Sequence, residues 1–159
     1  MTEPVLHSSH LFTLSLTVDP NFTDLGETPY GRRRIAAVTG GRFEGEELKG
    51  TVLPSPGGDW LLLRRDGVLQ LDVRITLKTH DDHLIYMSYR GMRHGPAWVI
   101  EQLNKGEKVD PSQYYFRTTP SFETASEKYR FLNRIVCVAT GRREPTGPIY
   151  DVFHEITEF

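Results

Sequence analysis

The sequence predicts a mainly β protein: a single antiparallel β-barrel of about nine or ten strands with one short helix. The run from Val68 to Lys78 alternates apolar and polar residues without a break, which is typical of a strand with two unlike faces. Short strand-like runs recur along the chain and are separated by turn signals such as Asp66-Gly67. The first and last predicted strands are both long enough to pair, and closing the sheet would remove its exposed edges.

Before the central run, strand-like and turn-like segments alternate. The pattern predicts a first strand over His10 to Val18, and a bulge or bend at the glycine pair Gly40-Gly41. The other predicted segments are a loop over Asp19 to Gly31, a strand over Arg32 to Thr39, a hairpin around Gly45-Glu46 within Arg42 to Leu53, and a loop over Pro54 to Gly58.

After Gly91 the pattern becomes less regular. Pro96 to Lys105 is predicted to be the one short helix, with a proline near its start and Gly106 just past its end. The other predicted segments are strands over Tyr114 to Thr118, Phe131 to Thr140 and Ile149 to Thr157, a polar connection over Pro120 to Lys128 with room for a helical turn, and a turn over Arg142 to Pro148.

Length and composition limit the class of protein. The 159 residues are expected to form one domain, residues 1–159, with residues 1–9 as a flexible N-terminal arm. A net charge of −2 creates no general attraction for nucleic acid, and no apolar run reaches the roughly 20 residues of a membrane helix. No signal peptide is recognisable, so a cytoplasmic location is expected. Cys137, the only cysteine, lies in an apolar run and is expected to be buried and inert.

The strand pattern around the central run predicts a register at its first turn. A two-residue turn at Asp66-Gly67 places Asp59 opposite Arg74. The same register puts Trp60 on the apolar face of the sheet. Because successive side chains of a strand alternate between faces, a slip of one residue would invert this assignment.

The second turn, between Thr79 and His83, has two plausible registers. Only one keeps apolar residues together, with Leu77 opposite Ile85. This register sets Asp72 opposite Arg90 on the other face. One face of the three strands would then carry a polar cluster of Asp59, Asp72, Arg74, Tyr86, Ser88 and Arg90.

Two interpretations of this polar cluster stay open. It is either a solvated outer face, where ion pairs contribute at most about 1 kcal/mol, or the lining of the barrel interior, where paired charges bind or polarise a ligand. Leu61 and Leu63 would share its face, and a mixture of apolar and charged residues suits a pocket.

A second concentration of unusual residues lies between Tyr114 and Asn133. In a functional interpretation, Arg117 holds an anionic or carbonyl oxygen at a pocket mouth, and Glu123 is a general base. In a structural interpretation, Arg117 and Glu123 form a salt bridge across a turn, and Phe116 and Phe122 fill the barrel.

Metal and nucleotide sites are not indicated. His80-Asp81-Asp82-His83 contains ligand-type residues, but it lies in a predicted hairpin turn, where polar residues are expected. No histidine spacing supplies a zinc ligand set, and no glycine-rich phosphate loop opens a helix. We therefore expect no metal and no cofactor.

Several segments resemble the uncharacterised family DUF3237, also called UPF0311. The resemblance runs from about Leu11 to the C-terminus and implies a compact β-barrel of the calycin-like kind, without an established activity or catalytic residue. The segments that carry it are Gly31-Arg32-Arg33, Thr39 to Phe43, Gly50 to Leu53, Asp59-Trp60, Asp66-Gly67-Val68, Asp72-Val73-Arg74, Tyr114 to Thr118, Pro120 to Thr124 and Tyr129 to Arg134.

Three functions remain as hypotheses. The first is a cofactor-independent isomerase, cyclase or lyase that acts on an aromatic or carbonyl metabolite by proton transfer, with Asp72 or Glu123 as base and Arg74 or Arg117 facing developing negative charge. The second is a non-catalytic carrier with the same cavity, and the third is an assembly module that forms a homo-oligomer. The predicted ligand-binding residues are Asp59, Tyr86, Arg90, Phe116, Arg117, Phe122 and Asn133.

Overall fold

The computed structural model describes residues 3–156, which form ten strands and one α-helix. Two short 3₁₀ turns lie at Pro111–Gln113 and Arg130–Arg134. The elements, in chain order, are β1 (His7–Val18), β2 (Thr23–Thr28), β3 (Gly31–Glu44), β4 (Lys49–Val52), β5 (Gly58–Leu63), β6 (Leu69–Thr79), β7 (Leu84–His94), α1 (Ala97–Asn104), β8 (Tyr115–Glu123), β9 (Cys137–Glu144) and β10 (Gly147–Ile156).

The strands form one antiparallel sheet that closes on itself. Eight of them follow one another around the barrel in the order β1-β10-β9-β8-β7-β6-β4-β3, and β3 pairs again with β1. β5 occupies the same gap as β4, between β3 and β6, and β2 pairs with the first residues of β3. The predicted antiparallel β-barrel with one short helix is confirmed.

Strand alternation determines which side chains lie inside the barrel. In β6, Leu71, Val73, Ile75 and Leu77 point inward and are buried, whereas the residues between them reach the outer surface. Burying an aliphatic side chain of this size contributes roughly 1.5–3 kcal/mol, so this face is a main source of stability. Cys137 belongs to the same core, and burial raises the pKa of its thiol to about 11.

Helix α1 confirms the predicted helix between β7 and β8. It starts directly after Pro96 and ends before Gly106, which has a φ of +78° and so turns the chain away. Val99 and Leu103 are buried and join the core. Within residues 3–156, no helix is both long enough and apolar enough to cross a membrane.

The glycine pair Gly40-Gly41 forms the predicted bulge. Thr17 lies opposite Gly40, but its neighbour Val18 lies opposite Val38, so β3 contains one extra residue here. Gly41 has a φ of +146°, and its α-carbon lies against the backbone of β1, where a side chain would meet the carbonyl group of Ser15. Only glycine combines this conformation with this close approach.

The loop predicted over Asp19 to Gly31 is wrong in its second half. Residues Thr23–Thr28 form β2, which pairs with the beginning of β3. These residues are mostly polar and exposed, so no apolar alternation marks the strand in the sequence. An exposed ion pair between Arg32 and Asp24 joins the two strands.

Two strand boundaries in the C-terminal half also differ from the prediction. β8 continues through Pro120 to Glu123; β9 pairs with β8 over only two residues, so no hydrogen bond from residue 120 is required on that side. The strand predicted over Phe131 to Thr140 begins only at Cys137, because a 3₁₀ turn precedes it.

The N-terminal arm predicted over residues 1–9 overlaps β1. This strand begins at His7, which lies opposite Ile156 of β10. The pairing therefore includes the last three residues of the predicted arm. Residues 1, 2 and 157–159 lie outside the described part of the chain.

Candidate functional site

The hairpin between β5 and β6 decides which side chains enter the barrel. The N–H of Arg64 donates to the carbonyl of Val68, so three residues form the loop instead of two. Gly67, the last of them, has a φ of +86°, which is typical of a three-residue hairpin loop. Gly58 consequently lies opposite Arg74, and the predicted pairing of Asp59 with Arg74 is wrong by one residue.

This one-residue difference exchanges the two faces of β5. Asp59 lies opposite Val73, on the interior face. Trp60, predicted on the apolar face, points outward and is 38% exposed. The register predicted between β6 and β7 is confirmed, including Asp72 opposite Arg90.

Asp59 lines a cavity of about 450 Å³ inside the barrel. This volume lies within the usual range for small-molecule pockets. Most of the wall is aliphatic or aromatic, and the side chain of Leu103 from α1 contributes to it. The polar lining consists of Arg34, Asp59, Tyr89, Arg93, Asn104, Arg143 and Tyr150.

The carboxyl group of Asp59 lies at a gap in the backbone hydrogen bonding between β5 and β6. β5 and β6 pair on both sides of Trp60 and Leu61 but not at these residues, and the N–H of Asp72 donates to Oδ1 of Asp59 over 3.0 Å. Burial raises the pKa of Asp59 to about 7, although this hydrogen bond and the charge of Arg93 act in the opposite direction. A carboxyl group with such a pKa can both take and give a proton near neutral pH.

Two tyrosine hydroxyl groups lie in the same part of the interior. The rings of Tyr89 and Tyr150 meet edge to face, with centroids 5.0 Å apart. Both hydroxyl oxygens are buried, and among the described residues the only polar group placed to bond either of them is the hydroxyl of the other tyrosine. A single hydrogen bond between them leaves at least one hydroxyl proton without an acceptor. Burial is the main cause that raises the pKa of both hydroxyls. The neighbouring Tyr150 and then the charge of Asp59 raise the pKa of Tyr89 further, and the charge of Asp59 does the same for Tyr150, so both hydroxyls stay protonated.

Three arginines, Arg34, Arg93 and Arg143, also line the cavity. Arg93, near the end of β7, is partly buried; its Nε is fully buried and has no hydrogen-bond partner within residues 3–156. Burial, together with the charge of Arg143, lowers the pKa of Arg93. Arg34 lies over the ring of Phe22, with 5.4 Å between its Cζ and the ring centroid.

Most of the predicted polar cluster lies on the outer surface of the barrel. Asp72, Arg90 and Arg117 line an open groove of about 650 Å³ on this surface, called the outer groove below. In the outer groove, Nη2 of Arg90 and Oδ2 of Asp72 are 3.9 Å apart. Arg74 and Tyr86 lie beside a smaller depression of about 300 Å³. Of the predicted polar cluster, Asp59 is the member that lines the interior cavity.

The predicted pair of Arg117 and Glu123 does not form. Both residues lie on β8, six positions apart, which separates them by roughly 20 Å. Arg117 instead donates from Nη1 to the carbonyl of Phe116 and lies over the ring of Tyr115. Glu123 is exposed and lies opposite Tyr86 of β7.

The other predicted binding residues have different positions. Phe116 is buried and lines the cavity, where its ring packs against Tyr150. Phe122 is also buried and packs against Phe12 in the core. Asn133 is exposed, and its amide group bonds both the N–H and the carbonyl of Thr124. Whether any of these residues contacts a ligand stays a prediction.

The hairpin turn at His80 to His83 is part of a structural contact. Asp81 accepts hydrogen bonds from Nζ of Lys128, at 2.6 Å, and from the hydroxyl of Tyr129, at 2.9 Å. These donors hold the pKa of Asp81 well below its usual range. Over the described residues, no three histidine, cysteine, aspartate or glutamate side chains lie close enough together to hold a metal ion.

Sequence reasoning missed several polar residues of the cavity. One signal was available on β7, where continuing the buried positions Ile85, Met87 and Tyr89 by twos leads to Arg93. The same step of two leads from Val38 and Ala36 to Arg34 on β3, and from Val152 to Tyr150 on β10. No local pattern shows that these residues meet in one cavity, because closure of the barrel brings their distant strands together.

Comparison with known proteins identifies the family. Residues 6–154 match the model of a protein family of unknown function, DUF3237. The chain belongs to the DUF3237 family. A UPF0311 protein of Bradyrhizobium diazoefficiens is 36% identical over 153 residues, which cover 96% of this chain and 98% of the relative.

Solved structures agree with the DUF3237 fold described above. A β-barrel-like protein from Acinetobacter baumannii is 38% identical and superposes with a TM-score of 0.84, covering 98% of this chain and 99% of that chain. An enzyme from Penicillium herquei superposes with a TM-score of 0.73 over 98% of this chain and 99% of that chain. Its identity to this chain is 19%, so this likeness shows the fold alone.

Proposed function

We propose that the interior cavity binds a small carbonyl-bearing or aromatic metabolite and that Asp59 transfers a proton within it. The observation that carries the proposal is a largely buried carboxyl group beside two tyrosine hydroxyls whose only hydrogen-bonding neighbours among the described residues are each other, which leaves at least one hydroxyl proton without an acceptor. Buried polar groups without partners are uncommon, and a ligand oxygen would supply the missing acceptor. The fungal neighbour is described as an enzyme, but the proposal rests on the cavity.

The proposed chemistry is proton transfer that needs no cofactor, as in an isomerase, cyclase or lyase. The ionised carboxyl group of Asp59 takes a proton from a carbon next to the substrate carbonyl, and the electron pair moves onto the carbonyl oxygen. Hydroxyls of Tyr89 and Tyr150 donate hydrogen bonds to this oxygen, and the charge of Arg93 stabilises it. Asp59 then returns the proton at another atom, or a leaving group departs.

A generic proton-abstraction substrate tests this proposal without knowledge of the natural ligand. With 5-nitrobenzisoxazole, a base removes the ring C–H proton while the N–O bond breaks, and the electron pair leaves on a coloured phenolate. Asp59→Asn should lower kcat/KM by about 10²- to 10⁴-fold. The wild-type rate should rise with pH around a midpoint of about 7, because only ionised Asp59 is a base.

Matched variants distinguish the interior base from the outer carboxylates. Glu46→Gln, in the exposed turn between β3 and β4, is the control and should keep the wild-type rate. A wild-type rate in Asp59→Asn would refute the proposal. A loss confined to Asp72→Asn or Glu123→Gln would place the base on the outer surface.

A non-catalytic carrier is the second candidate, favoured by the largely apolar cavity wall. A carrier would bind apolar compounds in the cavity but show no turnover that depends on Asp59. Binding of the neutral fluorophore N-phenyl-1-naphthylamine, together with an Asp59-independent rate, would support it.

A contact between copies of the chain is the third candidate. The outer groove is bordered by apolar side chains that are at least partly exposed, namely Trp60, Met92, Tyr115 and Val138. Exposed apolar patches of this kind mark interaction surfaces. Light scattering should then show a homo-oligomer that Val138→Glu dissociates, and a monomeric wild-type protein would refute this candidate.

A further inference from the structure

We propose that the ligand of the interior cavity combines an apolar body with one anionic oxygen group of the carboxylate class, which Arg93 and Arg143 hold. This inference rests on the proposed function, because it assumes that the cavity binds a ligand. It adds the chemical class of that ligand and the two residues that select it.

The first argument is charge. Three guanidinium groups, those of Arg34, Arg93 and Arg143, line the cavity with a single carboxyl group, that of Asp59. In the part of the chain that the structure describes, none of the three forms an ion pair (the ion pairs of that part involve other residues). The cavity therefore carries excess positive charge that an anion would neutralise.

Two neighbouring arginines on β9, Arg142 and Arg143, differ in whether they have acidic partners. Arg142 points outward, where its Nη1 lies 3.1 Å from Oδ2 of Asp151 and its Nε lies 3.9 Å from Oε1 of Glu144. Arg143, the next residue, lines the cavity without a carboxylate partner among residues 3–156. The chain thus provides acidic partners for the arginine on the outer face of β9 and none for the exposed arginine at the edge of the cavity.

The second argument is the cost of leaving Arg93 unsatisfied. Its Nε is buried without an acceptor in the described chain, and it lies near a second guanidinium group, that of Arg143. A buried donor without a partner destabilises the folded protein, and more so when it is charged. A planar carboxylate accepts from guanidinium groups in a fork geometry and would relieve this cost.

The third argument is the arrangement along the cavity. Arg143 is exposed, whereas Arg93 is partly buried with its Nε fully enclosed, and its charge acts on Asp59. An anion that meets Arg143 first and then Arg93 would bring the attached body beside Asp59. The remaining wall, with Leu16, Val38 and Phe116 among its members, suits an apolar body.

A matched pair of fluorescent probes tests this inference. The anion 8-anilinonaphthalene-1-sulfonate and neutral N-phenyl-1-naphthylamine share the same ring system and differ in the sulfonate group. Each is titrated into the wild-type protein, Arg93→Met and Arg143→Met. The exposed Arg130→Met is the control, since Arg130 pairs with Glu127 away from the cavity.

Arg93→Met should weaken binding of the anionic probe roughly tenfold or more, as expected for loss of a charge-assisted hydrogen bond, and change the neutral probe less than about twofold. Arg143→Met should act in the same direction, and because Arg143 is exposed, this variant also tests the inference if Arg93→Met fails to fold. Arg130→Met should leave both affinities unchanged.

Other results would overturn the inference. If both probes bind and the arginine variants weaken neither selectively, the anion site is refuted, but the proposed proton transfer at Asp59 stands. A loss of the anionic probe in Arg117→Met, with Arg93→Met and Arg143→Met unaffected, would place the anion in the outer groove. If neither probe binds the wild-type protein, the cavity is not a ligand site, and both this inference and the proposed function fail.

Discussion

Replacing Asp59 with asparagine should remove a pH-dependent penalty on folding. The pKa of Asp59 rises from the usual 3.8 to about 7 in the folded protein. The folded state therefore holds this proton more tightly than the unfolded chain, and stability falls as pH rises from about 4 to about 7. A difference of roughly three pKa units, at about 1.4 kcal/mol each, gives about 4 kcal/mol.

Urea unfolding at about pH 5 and about pH 9 measures this effect. Near pH 5 the Asp59 carboxyl is protonated in the folded state, but most unfolded chains have already lost that proton. Part of the difference in unfolding free energy between Asp59→Asn and the wild type is therefore already present at about pH 5. Asparagine has nearly the same shape as the protonated acid and can still accept from the N–H of Asp72. We expect Asp59→Asn to gain up to about 4 kcal/mol over the wild type at high pH, and clearly less at low pH.

When the unfolding free energy of the wild type is subtracted from that of Asp59→Asn, the contributions from titration of all other groups cancel. If the free energy of unfolding changes equally between the two pH values in both proteins, Asp59 titrates normally and the reasoning is refuted. A variant that loses stability at high pH would be equally contradictory, because it would show that the ionised carboxylate stabilises the fold. Thermal unfolding at the same two pH values provides an independent check.

Three further predictions concern the cavity and the core. Tyr150→Phe removes a buried hydroxyl whose only hydrogen-bonding neighbour among the described residues is the hydroxyl of Tyr89, so the free energy of unfolding should change by less than about 1 kcal/mol while turnover of 5-nitrobenzisoxazole falls. Gly141→Ala would place a Cβ 2.7 Å from the ring of Phe116, and urea unfolding should show a loss of about 1–3 kcal/mol. Leu77→Ala, at a fully buried position, should cost about 2–5 kcal/mol in the same measurement.

The register of the central strands shows what the sequence could and could not predict. Between β6 and β7, a wrong register would have brought apolar residues such as Leu77 opposite polar ones, so the pattern identified the correct pairing. Between β5 and β6, the pair Asp66-Gly67 is compatible with both a two-residue and a three-residue loop. The single extra loop residue turns Asp59 inward and Trp60 outward.

The candidate site was harder to predict than the fold for a related reason. Charges that alternate along one strand, such as Asp72 and Arg74, are conspicuous in the sequence because they form an outer face. The residues that meet inside come from β5, β7 and β10 and are isolated in their own strands. Asp59, Tyr89 and Tyr150 become neighbours only when the sheet closes, which no local pattern encodes.

The gap in the ladder between β5 and β6 gives the protein a built-in spectroscopic reporter. The amide proton of Asp72 points to the carboxyl group of Asp59 and not to the neighbouring backbone. Its NMR chemical shift will therefore follow the ionisation of that carboxyl group, with a midpoint at about 7. A molecule that enters the cavity will move this resonance and its midpoint together, so one peak can register occupancy of the barrel before the natural ligand has been identified.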